Sequence, residues 1–175
     1  MYKELENIFD ELETLRNDYF STDTFNRDIY KRTVPDKWSV GEVIYHCYLL
    51  LKLTRQLSQV YVPLAGSYMK LLHQRPKYYD GRMENIYAGK TMQAPAVLIP
   101  NMRKEYTKGE LRLMLEEETD KLKKCLEGLN KDELYWIRYP DPVPGYPNII
   151  QTVKVAKIHE AHHYRIVLER VGEYR

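Results

Sequence analysis

The stretch Trp38-Ser39-Val40-Gly41-Glu42-Val43-Ile44-Tyr45-His46-Cys47-Tyr48-Leu49-Leu50-Leu51 opens a helix. Ser39 is placed to accept from the Glu42 N–H while the Glu42 side chain reaches back, the reciprocal arrangement of a capping box. At 100° per residue, Val43, Leu50, Leu53 and Leu57 form one stripe with His46 in its middle, so this imidazole faces the interior of whatever the helix packs into. The helix is expected to continue to about Gln59. Upstream, Leu5, Ile8, Phe9, Leu12 and Tyr19 trace a first amphipathic helix from Tyr2 to about Phe20. Downstream, Thr107-Lys108-Gly109-Glu110 repeats the capping form, and Leu111, Met114, Leu115, Leu122, Cys125, Leu126 and Leu129 make a third stripe. A last helix starts between Asn148 and Thr152 and runs almost to the C-terminus, with Val155, Ala156, Ile166 and Val167 on one side. With no internal repeat and no period-two pattern, the expected fold is all-α: a four-helix bundle with a long crossover connection between the second and third helices.

That connection, residues 60–106, is too long for a featureless loop in a compact domain. Ser67 to Leu72 is expected to make a short helix, and the apolar run Ala94 to Pro100 to lie over the core. Tyr139-Pro140-Asp141-Pro142-Val143-Pro144-Gly145-Tyr146-Pro147 reads as a stiff extended or turn connection, because proline fixes φ and restrains its predecessor. The chain has 175 residues, 43% of them hydrophobic, which suits one domain over residues 1–175. Its 27 Lys and Arg nearly balance 25 Asp and Glu, leaving +2, which argues against a nucleic-acid binder. No apolar stretch approaches the length of a membrane span, and the acidic start Met1-Tyr2-Lys3-Glu4-Leu5-Glu6 is unlike a signal peptide. A soluble cytoplasmic protein is expected, with Cys47 and Cys125 as free thiols and Cys47 a core residue, not a nucleophile.

The chemistry centres on histidine. His159 and His163 are four apart, so they lie one turn apart on one face of the last helix, with His162 beside them. An i, i+4 pair presents two nitrogens to one cation, and His46 from a facing helix would complete a three-histidine site. Spacing alone leaves this reading and a set of neutral core imidazoles both open. His162 points about 100° from His163 and is assigned a supporting or core role. Glu42, one turn before His46, is either a cap alone or also an acceptor for an imidazole N–H. Glu118 occupies the centre of the third stripe and requires a partner; Arg16, central on the first helix, is the expected one, with a catalytic base as the alternative. Arg170 projects on the side of the histidines as a carboxylate clamp or a surface ion-pair partner. Sixteen tyrosines are present, of which Tyr45, Tyr68, Tyr78, Tyr79 and Tyr87 are candidates to line a cleft. Arg75, Lys77, Arg82 and Lys90 either attract an anion or form a solvated loop. On the last helix Ala161, Tyr164, Leu168 and Val171 face away from the histidines, an apolar sector that suggests a homodimer.

Trp38-Ser39 followed by Glu42 and His46, Ala94-Pro95 and Pro100 before the third helix, and His159-Glu160-Ala161-His162-His163 in the last helix together resemble the DinB-like superfamily, particularly its YfiT-like branch. The resemblance covers most of the chain. It implies a four-helix bundle that holds a divalent transition metal, zinc or nickel foremost, through His46, His159 and His163. Many relatives carry Gln where this chain has Ile166. Relatives include transferases that use bacillithiol, mycothiol or glutathione, so the resemblance implies a metal-dependent transferase that activates a low-molecular-weight thiol for attack on an electrophilic small molecule. Two alternatives accompany it: a hydrolase that delivers hydroxide from the metal, with Glu118 or Glu42 as base, and a non-catalytic, stress-related binding module.

Overall fold

The computed structural model describes residues 1–89 and 92–173. In chain order the α-helices are α1 (Lys3–Phe20), α2 (Asp23–Asn26), α3 (Val40–Leu71), α4 (Lys108–Leu126), α5 (Lys131–Trp136) and α6 (Ile149–Val171), with a 3₁₀ turn at Ala96–Leu98. Among the described residues no strand forms, and one antiparallel bridge joins Arg138 to Asn148. The expected capping boxes close on α3 (Ser39 and Glu42) and α4 (Thr107 and Glu110), and the same device starts α5 (Asn130 and Glu133) and α6 (Asn148 and Gln151).

Side-chain contacts give the directions of the four long helices. Glu4–Lys154, Glu11–Lys157 and Arg16–Glu160 advance together along α1 and α6, so these two run parallel. His46 near the start of α3 meets His163 far along α6, whereas Ser58 meets Tyr139 ahead of α6, so α3 and α6 are antiparallel. Tyr45 stacks on Tyr106 and Arg55 pairs with Glu118, which makes α3 and α4 parallel neighbours. Arg112 reaching Glu13 and Asn17, with Lys123 over Phe9, sets α4 antiparallel to α1. Parallel neighbours cannot be joined by a short turn, and this is the reason for the long crossover, residues 72–107. On its return the crossover places Gly81 against Lys154, Tyr87 against His159 and Leu98 against His46, and so roofs the groove between α3 and α6.

The predicted stripes meet in one core that includes Leu5, Ile8 and Phe9 of α1, Val43, Ile44 and Leu51 of α3, Leu111, Leu115 and Leu122 of α4, and Val153 and Val167 of α6. Burying each such side chain contributes about 1.5–3 kcal/mol. Cys47 is buried in the same core. No helix among the described residues is long and apolar enough to cross a membrane.

Three expectations are corrected. The second helix does not stop near Gln59: α3 continues through Pro63 to Leu71 and absorbs most of the short helix expected over Ser67 to Leu72. Pro63 is exposed, away from the bundle, and buried Val62, Gly66 and Met69 hold the final turns to the core. Arg16 does not pair with Glu118. It forms a bidentate pair with Glu160, Nε and Nη2 donating at 2.9 and 2.6 Å, and its Nη1 donates to Thr119 at 2.8 Å. Glu118 accepts from Arg55 and Lys121 instead. Finally, the apolar sector of α6 that suggested a second subunit is covered in part within the chain: Tyr164 and Leu168 are buried, with Tyr19, Phe20 and Phe25 packed on the Tyr164 ring, while Ala161 and Val171 are half-buried.

Candidate metal centre

His46 reaches the interior from the second turn of α3, a position set by the Ser39 cap that starts the helix. His159 and His163 come from the middle of α6, one turn apart. One nitrogen from each of the three imidazoles lies within 4.8 Å of the others. The Nε2 atoms of His46 and His163 are 3.2 Å apart, and the ring centroids of His46 and His159 are separated by 4.8 Å. His46 and His159 are buried and His163 is half-buried.

Polar groups stand behind two of the rings, and at His46 the partner fixes the tautomer. His46 Nδ1 lies 2.6 Å from the Leu98 carbonyl, which only accepts, so Nδ1 carries the proton and Nε2 presents a lone pair to the centre. His159 Nδ1 is hydrogen-bonded to the Tyr87 hydroxyl, which leaves its Nε2 for the centre. That Nε2 is buried and has no hydrogen-bond partner. A buried ring nitrogen without a partner, beside two others that converge on it, matches a soft-to-borderline cation that prefers imidazole ligands. Outer partners on the remote nitrogens of His46 and His159 are the arrangement that orients metal-binding imidazoles.

The electrostatics favour neutral rings. Burial holds His159 well below the ordinary histidine range, and the neighbouring imidazoles add to the effect. Burial likewise lowers His163 to about 3, with smaller contributions from His46, His162 and Arg170. His46 is lowered by burial against an opposing contribution from the Leu98 carbonyl. Neutral imidazole is the form that donates to a metal.

The cluster opens on a cavity of about 1000 Å³ between α3, α6, the crossover and the Pro-rich turn before α6. Leu50, Leu53 and Leu57 of the His46 stripe line it, so a stripe read as facing the bundle interior in part faces this cavity. Trp38 also lines it, its ring 4.9 Å from that of His46. The other residues singled out in the sequence fall as follows. His162 stacks on Tyr87 with ring centroids 4.0 Å apart, and its Nδ1 is buried without a partner. Arg170 lines the cavity and donates to the Trp38 carbonyl. The Glu42 carboxylate is taken up by the Ser39 N–H and Arg32, and Glu118 by Arg55 and Lys121; neither lines the cavity.

Tyr87 is the one of the five candidate tyrosines that lines this cavity; Tyr78 and Tyr79 line a separate groove with Arg75, Lys77 and Arg82. Tyr45 stacks on Tyr106, Tyr68 is exposed, and Lys90 lies outside the described residues. Sequence reasoning did not anticipate the contacts of Tyr87 and Leu98 with the histidines, since both sit on the crossover, where no periodicity reports orientation.

Comparison with known protein families gives a match over most of the chain. The family model described as DinB superfamily covers residues 11–167. No curated protein and no solved structure matches.

Proposed function

Because the chain belongs to the DinB superfamily, we propose that it is a metal-dependent transferase whose divalent metal, zinc or nickel, is held by His46, His159 and His163. The observation that carries this reading is the convergence of three neutral imidazoles on one point in the wall of a largely apolar cavity. A divalent cation there supplies Lewis acidity, which lowers the pKa of a thiol or of water and makes an anionic nucleophile available at neutral pH.

The protein's own groups do the rest. Leu98 and Tyr87 hold two of the imidazoles in the orientation the centre needs. The walls that include Leu50, Leu53, Leu57, Val97 and Ile166 offer apolar surface to the body of an electrophile. Cys47, next to His46 in the sequence, is buried in the core and burial pushes its thiol up, so it is not the nucleophile. A small thiol is the proposed nucleophile: its S–H proton would pass to solvent, its sulfur would bond to an electrophilic carbon, and the bond from that carbon to its leaving group would break, the group departing with the electron pair.

Hydrolysis is the second reading. It is less well supported because Glu42 and Glu118, the bases it would call on, are both engaged by cations away from the cavity. Cobalt-substituted protein separates the two. Thiol transfer predicts that bacillithiol or glutathione shifts the visible absorption of the cobalt centre and that turnover requires the thiol. Activated ester cleavage without any thiol, together with an unmoved spectrum, would overturn the thiol reading in favour of hydrolysis.

A further inference from the structure

Four charged residues besides the histidines line the cavity: Asp36, Lys37, Asp141 and Arg170. The first three are exposed, whereas Arg170 is half-buried. Its guanidinium makes one hydrogen bond, from Nη1 to the Trp38 carbonyl at 3.3 Å, and no carboxylate among the described residues pairs with it. A guanidinium carries five N–H donors, so Arg170 has donors left to offer an anion in the cavity. A cation in the last turn of α6 suits the helix dipole, but that role is served equally well from solvent and does not explain partial burial beside an apolar cavity. A partly desolvated cation without a counter-ion is costly unless an anion arrives to pair with it.

The position of Arg170 relative to the histidines sets a length. His163 and Arg170 are seven residues apart on α6, which is close to two turns, so they share a side of the helix with about 10 Å of axial rise between them. Trp38 ties the two ends together: its carbonyl accepts from Arg170 and its ring lies against His46. Ile166 stands between them on α6, and Trp38, Val97 and Ile99 line the same cavity, while Leu50 and Leu53 extend its apolar wall beyond the histidines, away from Arg170.

We propose that Arg170 binds the carboxylate of a substrate with an apolar body, and that this anchors the reacting end at the histidine cluster about 10 Å away. The fork of a guanidinium matches a carboxylate in two parallel hydrogen bonds, which a lysine cannot reproduce. The inference rests on reading the histidine cluster as the reaction centre, and it adds the substrate class: a medium-chain apolar acid or an acid-terminated electrophile.

Isothermal titration with sodium octanoate and with octanamide tests it, since the two differ only in the anionic head. The titrations use the protein as purified, in the wild type, Arg170→Gln, Arg170→Lys, and the double variant His159→Ala, His163→Ala. Wild type is expected to bind octanoate at least tenfold more tightly than octanamide. Arg170→Gln should remove that preference, Arg170→Lys should keep part of it, and the double histidine variant should keep it in full. Equal binding of the two probes by wild type, or no octanoate binding at millimolar concentration, overturns the proposal. So does a preference that survives Arg170→Gln and vanishes in the double histidine variant, because the carboxylate then sits at the imidazoles. Metal content measured on the same samples reports separately on the metal centre: a metal-free wild type that still prefers octanoate through Arg170 supports the anion site while removing the metal reading.

Discussion

Arg16→Met is expected to destabilise the protein by about 3–5 kcal/mol, the range for breaking a buried ion pair from one side. Arg16 is fully buried and Glu160 nearly so, and the pair is bidentate. Burial alone would lower the basicity of Arg16, but attraction and hydrogen bonds from Glu160 outweigh it and hold the guanidinium charged. Without Arg16, the Glu160 carboxylate keeps only the Tyr164 hydroxyl, 3.1 Å from its Oε2, and Thr119 loses the guanidinium that donates to it. Thermal unfolding followed by circular dichroism should show a fall in midpoint on the order of 10 °C. The double variant Arg16→Met, Glu160→Leu should recover most of the loss, because the cost of the single change is a stranded charge and not a lost attraction. A loss below about 1 kcal/mol for Arg16→Met would place the pair among weak surface bridges and contradict its burial.

The second large effect is on the pH dependence of stability in metal-free protein. His46, His159 and His163 all have their folded-state basicity lowered, chiefly by burial, from an ordinary value of 6.5. Above that value both folded and unfolded chains carry neutral imidazoles and nothing is lost. As the pH falls below it, the unfolded chain takes up protons that the folded chain refuses, so stability decreases. Each imidazole that stays neutral contributes about 1.4 kcal/mol per pH unit, down to its folded value, which for His163 is about 3. Chemical denaturation between pH 7.5 and 5 should therefore show a steep loss, and His163→Ala should flatten the curve. Equal stability at the two pH values would mean that the imidazoles are solvated and the cluster is not the buried neutral set described above.

The parts of the fold that were legible in the sequence are those encoded locally. Apolar residues at three- and four-residue steps and the Ser39, Thr107 and Asn148 region starts define the long helices, because both stripe and cap are satisfied within a few residues. The face of His46 and the shared face of His159 and His163 follow from the same geometry. What the wheel does not contain is the neighbour. Arg16 and Glu118 both point inward as their stripes require, yet Arg16 lies between α4 and α6 and finds Thr119 and Glu160, while Arg55 of α3 claims Glu118. Glu160 was hidden by its place inside a histidine motif that drew attention to its neighbours. The end of α3 is not legible locally, because a proline such as Pro63 normally stops a helix and its exposed position is a tertiary fact. The contacts of Tyr87 and Leu98 arise only when the crossover folds back over the groove.

A metal held by His46, His159 and His163 would travel with the purified protein. Mass spectrometry of the untagged protein, beside the His159→Ala, His163→Ala variant, measures this directly. About one equivalent of a divalent transition metal, zinc or nickel, is expected in the parent and none in the variant. A parent that is well folded yet metal-free, and still empty after incubation with zinc and nickel, would contradict it and favour a binding module without a catalytic metal.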